Sequence, residues 1–251
     1  MNILLTNDDG IHAEGIRKLA EALQEIGNLY VFAPSEQKSG CGHGLTLTAP
    51  ITVKETEFPG AVRAAAVGGT PTDCVKIGLK LLHEAGVQID IVYSGVNQGG
   101  NLGTDTLYSG TVSAAIEGLL CGKPAVAVSV DAREPKHYET ACRLAVKAGR
   151  LPPGTQGAGT ALNINAPDLP PDRVKGVRVT RLGLREYEEW FQEAPGGYRY
   201  SSRPLLRESL SEDCDVAASA KGYATITPLH YDLTDLERIE EVKKWGLDND
   251  C

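Results

Sequence analysis

Asn2-Ile3-Leu4-Leu5-Thr6, followed at once by Asn7-Asp8-Asp9-Gly10, decides the reading of this chain. A short apolar run of strand type leads into two adjacent carboxylates and a glycine. Open α/β sheets place their ligand sites at the carboxyl ends of strands, and these acids fall there. Neighbouring carboxylates repel unless positive charge lies between them, and a divalent cation supplies it compactly. The competing structural reading makes Asp9 the cap of the next helix and Asp8 part of an Asx turn.

Working outward, Ile16, Leu19, Ala20, Leu23 and Ile26 recur on one helical face. Leu29 to Ala33 reads as a second strand ending at Pro34, and Val75, Leu79 and Leu82 predict a helix over 72–84. Strands are expected over 89–94 and 125–130. Helices are expected over 109–120 and through Tyr138, Ala141, Cys142, Ala145 and Ala148. This alternation predicts an α/β fold with a doubly wound, mostly parallel sheet and a core domain over 1–150. The pattern changes near Leu151, so 151–251 is read as a C-terminal part. Strands are expected there over 161–165, 174–180 and 223–227, before a last helix capped by Thr234 and Glu237. Tyr187, Trp190, Phe191, Tyr198 and Tyr200 crowd into 187–204, as a satellite core or as a hairpin arm for subunit contact.

The 251 residues carry 33 acidic against 25 basic side chains, a net charge of -8, with no basic stretch. That excludes a binder of nucleic-acid polymers, which needs a basic face. A small phosphorylated ligand stays compatible, because a metal and backbone amides neutralise it locally. The six cysteines form no C-x-x-C pair and share no metal-type spacing with histidines, which argues against zinc. They read as buried thiols of a reducing compartment. No apolar run approaches the ~20 residues of a membrane span. The first residues lack signal-peptide character, so a cytoplasmic location is expected.

Two further segments end strands at the same rim. Ser35 to Gly44 carries Ser39 and glycines 40, 42 and 44; a dinucleotide fingerprint fails there because its sixth position is Leu45. Ser94 to Thr111 carries Asn97, Asn101 and glycines 95, 99, 100, 103 and 110, without a single cation. Ser109-Gly110-Thr111 opens a helix, and such a start is a ready anion site. It is not a Walker A loop, since Gly118 to Pro124 has the wrong spacing. Two carboxylates, a hydroxyl and a carboxamide make a hard-oxygen site for Mg²⁺ or Mn²⁺. Beside an anion-binding helix start, that site points to metal-assisted hydrolysis of a phosphate ester.

Several separated motifs carry a family resemblance: N-D-D-G at 7–10, G-T-P-T-D-C-V at 69–75, S-G-x-N at 94–97, Y-S-G-T-V at 108–112, N-I-N-A-P at 163–167 and I-T-P-L at 226–229. Together the chain resembles the survival protein SurE family of metal-dependent 5'/3'-nucleotidases. The resemblance implies one divalent cation per subunit, Mg²⁺ or Mn²⁺, held by Asp8, Asp9, Ser39 and Asn97. It places Ser109, Gly110 and Thr111 in the phosphate pocket, with Asn101 in the same cleft. It implies a Rossmann-like core whose C-terminal hairpin is exchanged between subunits, giving a homodimer or homotetramer. Two positions depart from the family pattern: Lys38 stands where arginine is common, and Gly44 where serine is.

The expected reaction is hydrolysis of nucleoside monophosphates by metal-activated water, with Asp8 or Asp9 orienting the water or taking its proton. A covalent aspartyl-phosphate is the weaker mechanism. The alternative function is a non-catalytic nucleotide or phosphate sensor, which has no need of Asp8, Asp9 and Asn97 together.

Overall fold

Ile3, Leu4 and Leu5 are fully buried in β1 (Asn2–Thr6), and they point alternately into two separate cores. That alternation is the signature of a strand covered by helices on both faces. The computed structural model describes residues 1–152, 154–155, 159–188, 191–201, 204–205 and 211–247. After β1 come α1 (Glu14–Leu23), β2 (Asn28–Pro34), β3 (Val53–Glu55), β4 (Ala61–Val67), α2 (Pro71–Glu84), β5 (Ile91–Gln98), α3 (Gly110–Leu120), β6 (Ala125–Val130), α4 (Glu139–Gly149) and β7 (Ala161–Ala166). The remainder holds β8 (Val177–Val179), β9 (Glu186–Tyr187), β10 (Phe191–Ala194), β11 (Gly197–Tyr200), β12 (Pro204–Leu205), α5 (Asp215–Ala220), β13 (Ala224–Leu229) and α6 (Ile239–Lys243).

Nine strands form one sheet in the order β3-β4-β2-β1-β5-β6-β7-β13-β8. All pairings from β4 to β7 are parallel, β3 and β13 are antiparallel to β4 and β7, and β8 runs parallel to β13. The expected α/β class with a mostly parallel sheet therefore holds. α1 and α4 cover one face with Ile16, Leu19, Leu23, Ala141 and Ala145. α2 and α3 cover the other with Val75, Leu82, Val112 and Ala115. From β1 the chain first builds outward through β2 and β4, then returns to add β5 on the other side. The β1/β5 boundary is thus the topological switch point, and the crevice that opens there is where such folds bind ligands.

Beyond the sheet, β9 pairs with β12 and β10 with β11, two short antiparallel pairs that form the projecting arm. Phe191 and Tyr200 meet edge to face across the hairpin at 5.6 Å, yet Phe191, Tyr198 and Tyr200 all remain exposed. Among the described aromatics of the arm, Tyr187 is the half-buried one. Among the described residues the aromatics of the arm therefore do not build a satellite core. Trp190 lies outside the described residues, as does Cys251.

Four local expectations need correction. β3 and β4 went unread: Ala61-Val62-Arg63-Ala64-Ala65-Ala66 has the small side chains of a helix former, and only its place beside β2 makes it a strand. β5 runs on to Gln98, with a register shift against β6 between Ser94 and Asn97. The last helical segment is capped by Asp235, which accepts from the Arg238 amide, not by Thr234. Among the thiols, Cys74, Cys142 and Cys214 are buried, Cys41 is partly so, and Cys121 is exposed.

Gly15 lets α1 lie directly on the strand that carries Asn97: a Cβ there would stand 1.9 Å from the Val96 carbonyl oxygen. Glycine to alanine inside a helix otherwise stabilises by about 0.5–1 kcal/mol. Here overpacking decides the sign, and Gly15→Ala is expected to destabilise by about 1–3 kcal/mol in a urea titration. A stabilised variant would contradict this packing.

Candidate functional site

Asp8 and Asp9 follow β1 directly. Asp8 is buried and Asp9 half-buried. The Asp8 Oδ1 accepts the Thr111 hydroxyl at 2.5 Å. The Thr111 backbone amide also favours its ionised form. Asp9 accepts the Gln98 amide at 3.0 Å on one oxygen and the Gln37 carboxamide at 3.3 Å on the other. Neither acid caps α1, whose N-cap is Ala13, so the structural reading of Asp9 as a helix cap fails. Burial pushes Asp8 up to about 6, with help from the Asp9 charge, against the pull of Thr111. Burial likewise raises Asp9, against the hydrogen bonds from Gln98 and Gln37. Among the described residues no lysine, arginine or histidine forms an ion pair with either acid. Two crowded, desolvated carboxylates without a cationic side chain suit a bound cation.

Ser39 is brought to this pair by Gln37. One carboxamide nitrogen donates to both Ser39 Oγ, at 3.0 Å, and Asp9 Oδ1. The Lys38 amide donates to the Asp8 carbonyl at 2.7 Å, fixing the loop against the end of β1. The Lys38 ammonium pairs with Glu36 at 2.7 Å, so its charge is engaged away from the acids. Gln37 was not singled out by sequence reasoning, because a lone glutamine between Glu36 and Lys38 carries no pattern.

Asn97 stands at the end of β5, mostly buried, and donates its amide nitrogen to the Gly99 carbonyl at 2.8 Å. That orientation leaves its carbonyl oxygen as the end available to a metal. Its neighbour Gln98 ties this segment to Asp9. Asn101 is built into a buried polar knot: its amide donates to Asn165 Oδ1, its side chain to Ser129 Oγ, and its carbonyl accepts from Asn163 and Asn165. The N-I-N segment of β7 thus holds the 99–105 loop in place.

At the start of α3, Ser109 is the N-cap and accepts from the Val112 amide at 3.0 Å. The positive end of α3 faces a carboxylate of the chain itself, Asp8, through Thr111. The Ser109 hydroxyl proton and the Gly110 amide are the donors that this arrangement leaves for a second anion. Gly110 has no room for a side chain: a Cβ would lie 2.9 Å from Asp8 Cβ and 3.0 Å from Cys41 Sγ.

The root of the arm reaches the same loops. Arg185, 14% exposed, donates to the Gly100 carbonyl at 3.2 Å and pairs with Asp105 at 3.1 Å and Asp131 at 3.5 Å. Tyr187 donates to Asp105, and Thr104 exchanges hydrogen bonds with the Arg185 backbone. Buried Asp215 accepts amides of Gly103 and Gly183, each at 2.8 Å. Sequence reasoning missed Arg185 and Asp215, which lie far along the chain from the loop they hold.

The residues present fit a hard divalent cation. Among the described residues no three His, Cys, Asp or Glu side chains gather as ligands; neutral oxygens such as those of Ser39 and Asn97 are the donor type that would complete a set headed by the two acids. Comparison with known proteins bears on the family. The family model described as survival protein SurE matches residues 3–189. A protein from Syntrophomonas wolfei named 5'-nucleotidase SurE is 45% identical over 250 residues, covering 97% of this chain and 94% of its own. One of that name from Stenotrophomonas maltophilia is 46% identical, covering 98% and 95%. The crystal structure of the SurE protein from Aquifex aeolicus superposes with a TM-score of 0.80 at 35% identity, covering 98% of this chain and all of that one.

Two measurements probe the site itself. Gly110→Ala is expected to displace Asp8 and weaken Mn²⁺ binding at least tenfold by calorimetry, with the far-ultraviolet dichroism of the parent retained. Unchanged affinity would contradict the Asp8 placement. Because the folded state holds the Asp8 proton more tightly than the unfolded chain, the Asp8 contribution, read as the thermal midpoint of metal-free parent minus that of Asp8→Asn, is expected to fall as pH rises from about 4 to about 6. Saturating Mn²⁺ at pH above that range is expected to restore it. A parent-minus-Asp8→Asn difference in chelator that rises across this range would contradict the burial of Asp8.

Proposed function

The chain belongs to the survival protein SurE family, and on that premise we propose that it hydrolyses nucleoside 5'- and 3'-monophosphates to nucleoside and phosphate. The family is metal-dependent. The finer reading is one divalent cation per subunit, Mg²⁺ or Mn²⁺, held by Asp8, Asp9, Ser39 and Asn97. The observation that carries it is the pair of desolvated carboxylates at the β1/β5 switch point, beside the start of α3 and without a cationic partner among the described residues. A cation held there by Asp8, Asp9, Ser39 and Asn97 would supply charge neutralisation at the phosphoryl group and a water of lowered pKa.

The chain's own groups divide the remaining work. Thr111 holds Asp8 in one orientation through its hydroxyl. Asp8 or Asp9, the latter the more exposed acid, would orient the attacking water or accept its proton. Ser109 and Gly110 bind the phosphoryl oxygens that face α3, and Asn101 fixes the wall of the cleft through its knot with Asn163 and Asn165. Residues 1–150 form the catalytic core in this reading, and 151–251 add the closing strands and the arm. A two-stranded hairpin is marginal alone. The exposed aromatics of β10 and β11 accordingly support a homodimer or homotetramer built through the arm. Among the described residues no helix is long and apolar enough to cross a membrane; the proposed setting is the cytoplasm.

Phosphate release from a panel of nucleoside 5' and 3' monophosphates tests the proposal, with protein stripped by chelator and then given Mg²⁺ or Mn²⁺. Release is expected to return with metal and to vanish in Asp8→Asn. Nucleotide binding without release under any metal would identify a sensing protein instead.

A further inference from the structure

The loop that carries Ser39 contains Gly40 and Gly42 at positive φ of 73° and 55°. Its apolar residues Leu45 and Leu47 face solvent. Apolar packing therefore does not set its course; polar anchors do. The Gly42 amide donates to the Tyr108 carbonyl at 3.1 Å. His43 Nε2 lies 2.9 Å from Glu117 Oε2. Thr46 donates to Asp73 from its amide at 3.1 Å and its hydroxyl at 2.7 Å, and Thr70 donates to the Gly44 carbonyl at 2.7 Å. Asp73 and Thr70 form the capping box of α2, so one helix end fixes the far side of the loop.

Glu117 is the unusual anchor. Its side chain is only 5% exposed, in the last turn of α3, and a buried carboxylate is costly unless paired. It is paired twice, with His43 and with Lys76 Nζ at 2.8 Å. Burial pushes its carboxyl up, but the hydrogen bonds from Lys76 and His43 outweigh that and hold it below the usual range. Glu117 lies about two turns beyond Gly110 on the same face of α3. One helix thus presents its start to Asp8 and its last turn to the loop that delivers Ser39.

We propose that Glu117 and His43 are positioning residues, whose contact orders the 39–46 loop so that the Ser39 hydroxyl joins Asp8, Asp9 and Asn97 around the cation. This rests on the metal-dependent reading given above. A neutral hydroxyl is a weak ligand, and ordering a glycine-rich loop at the moment of binding costs entropy that a pre-set loop does not. Removing the partners that orient a ligand typically weakens metal binding 10–100-fold.

His43, 35% exposed, is the handle that least threatens folding. The full chain and its His43→Ala and His43→Gln variants are titrated with Mn²⁺, free ion being followed by electron paramagnetic resonance. Phosphate release from a nucleoside 5'-monophosphate is measured at saturating Mn²⁺. His43→Ala is expected to weaken Mn²⁺ binding about tenfold or more, with release at saturating metal close to the parent's. His43→Gln keeps a donor at the Nε2 position and is expected to recover most of the affinity. A lowered thermal midpoint in His43→Ala with unchanged Mn²⁺ affinity would overturn the inference while leaving the hydrolytic reading intact. A parent chain that binds Mn²⁺ but releases no phosphate would overturn the hydrolytic reading alone, provided His43→Ala still loses affinity. A parent that binds no Mn²⁺ overturns both.

Discussion

Burial of two neighbouring carboxylates, Asp8 and Asp9, is the constraint around which this site is arranged. Both are desolvated and both are raised above the ordinary aspartate range. A fold tolerates such a pair only where other groups compensate for the charge. Here the compensation is partial and comes from dipoles: Thr111 at the start of α3, the Gln98 amide from β5, and the Gln37 carboxamide. None of these carries a full positive charge. On the proposed reading that deficit defines the chemistry of the site: a divalent cation would cancel what the dipoles leave.

The sheet order explains why those particular dipoles converge. Crossovers leave β1 and β5 in opposite directions, so the segments after these two neighbouring strands flank one crevice. The 35–47 loop enters from β2 on one side and α3 descends from the 99–109 segment on the other. The remote part of the chain closes the arrangement from behind. Asn163 and Asn165 hold Asn101, while Asp215 and Arg185 hold Gly103, Gly100 and Asp105. Because Arg185 and Tyr187 sit at the root of the arm, the same ion pairs that support the site also set where the hairpin leaves the core.

Much of this was legible in the residues. Apolar alternation in Ile3 to Leu5 and the helical spacing of Ile16, Leu19 and Leu23 follow from burial on two faces of a sheet, and burial leaves a periodic trace. The acids at the end of β1 were legible because their position at a strand end carries meaning by itself. β4 was not, since its run of alanines has no strand period and takes its conformation from β2. The supporting contacts were also hidden. Gln37, Glu117, Arg185 and Asp215 act on residues that become neighbours only after folding, with Asp215 and Gly103 112 positions apart in sequence. The start of α3 was read as open to a phosphate, whereas Thr111 is already committed to Asp8. Its occupancy depends on a tertiary contact that no local motif records.

Crystals grown with Mn²⁺ and measured for anomalous scattering test the central claim most directly. The account predicts one strong peak per chain at the β1/β5 crevice, within bonding distance of oxygens from Asp8, Asp9, Ser39 and Asn97. A peak elsewhere, or a fully occupied crystal in which Asp8 and Asp9 bind no metal, would contradict it.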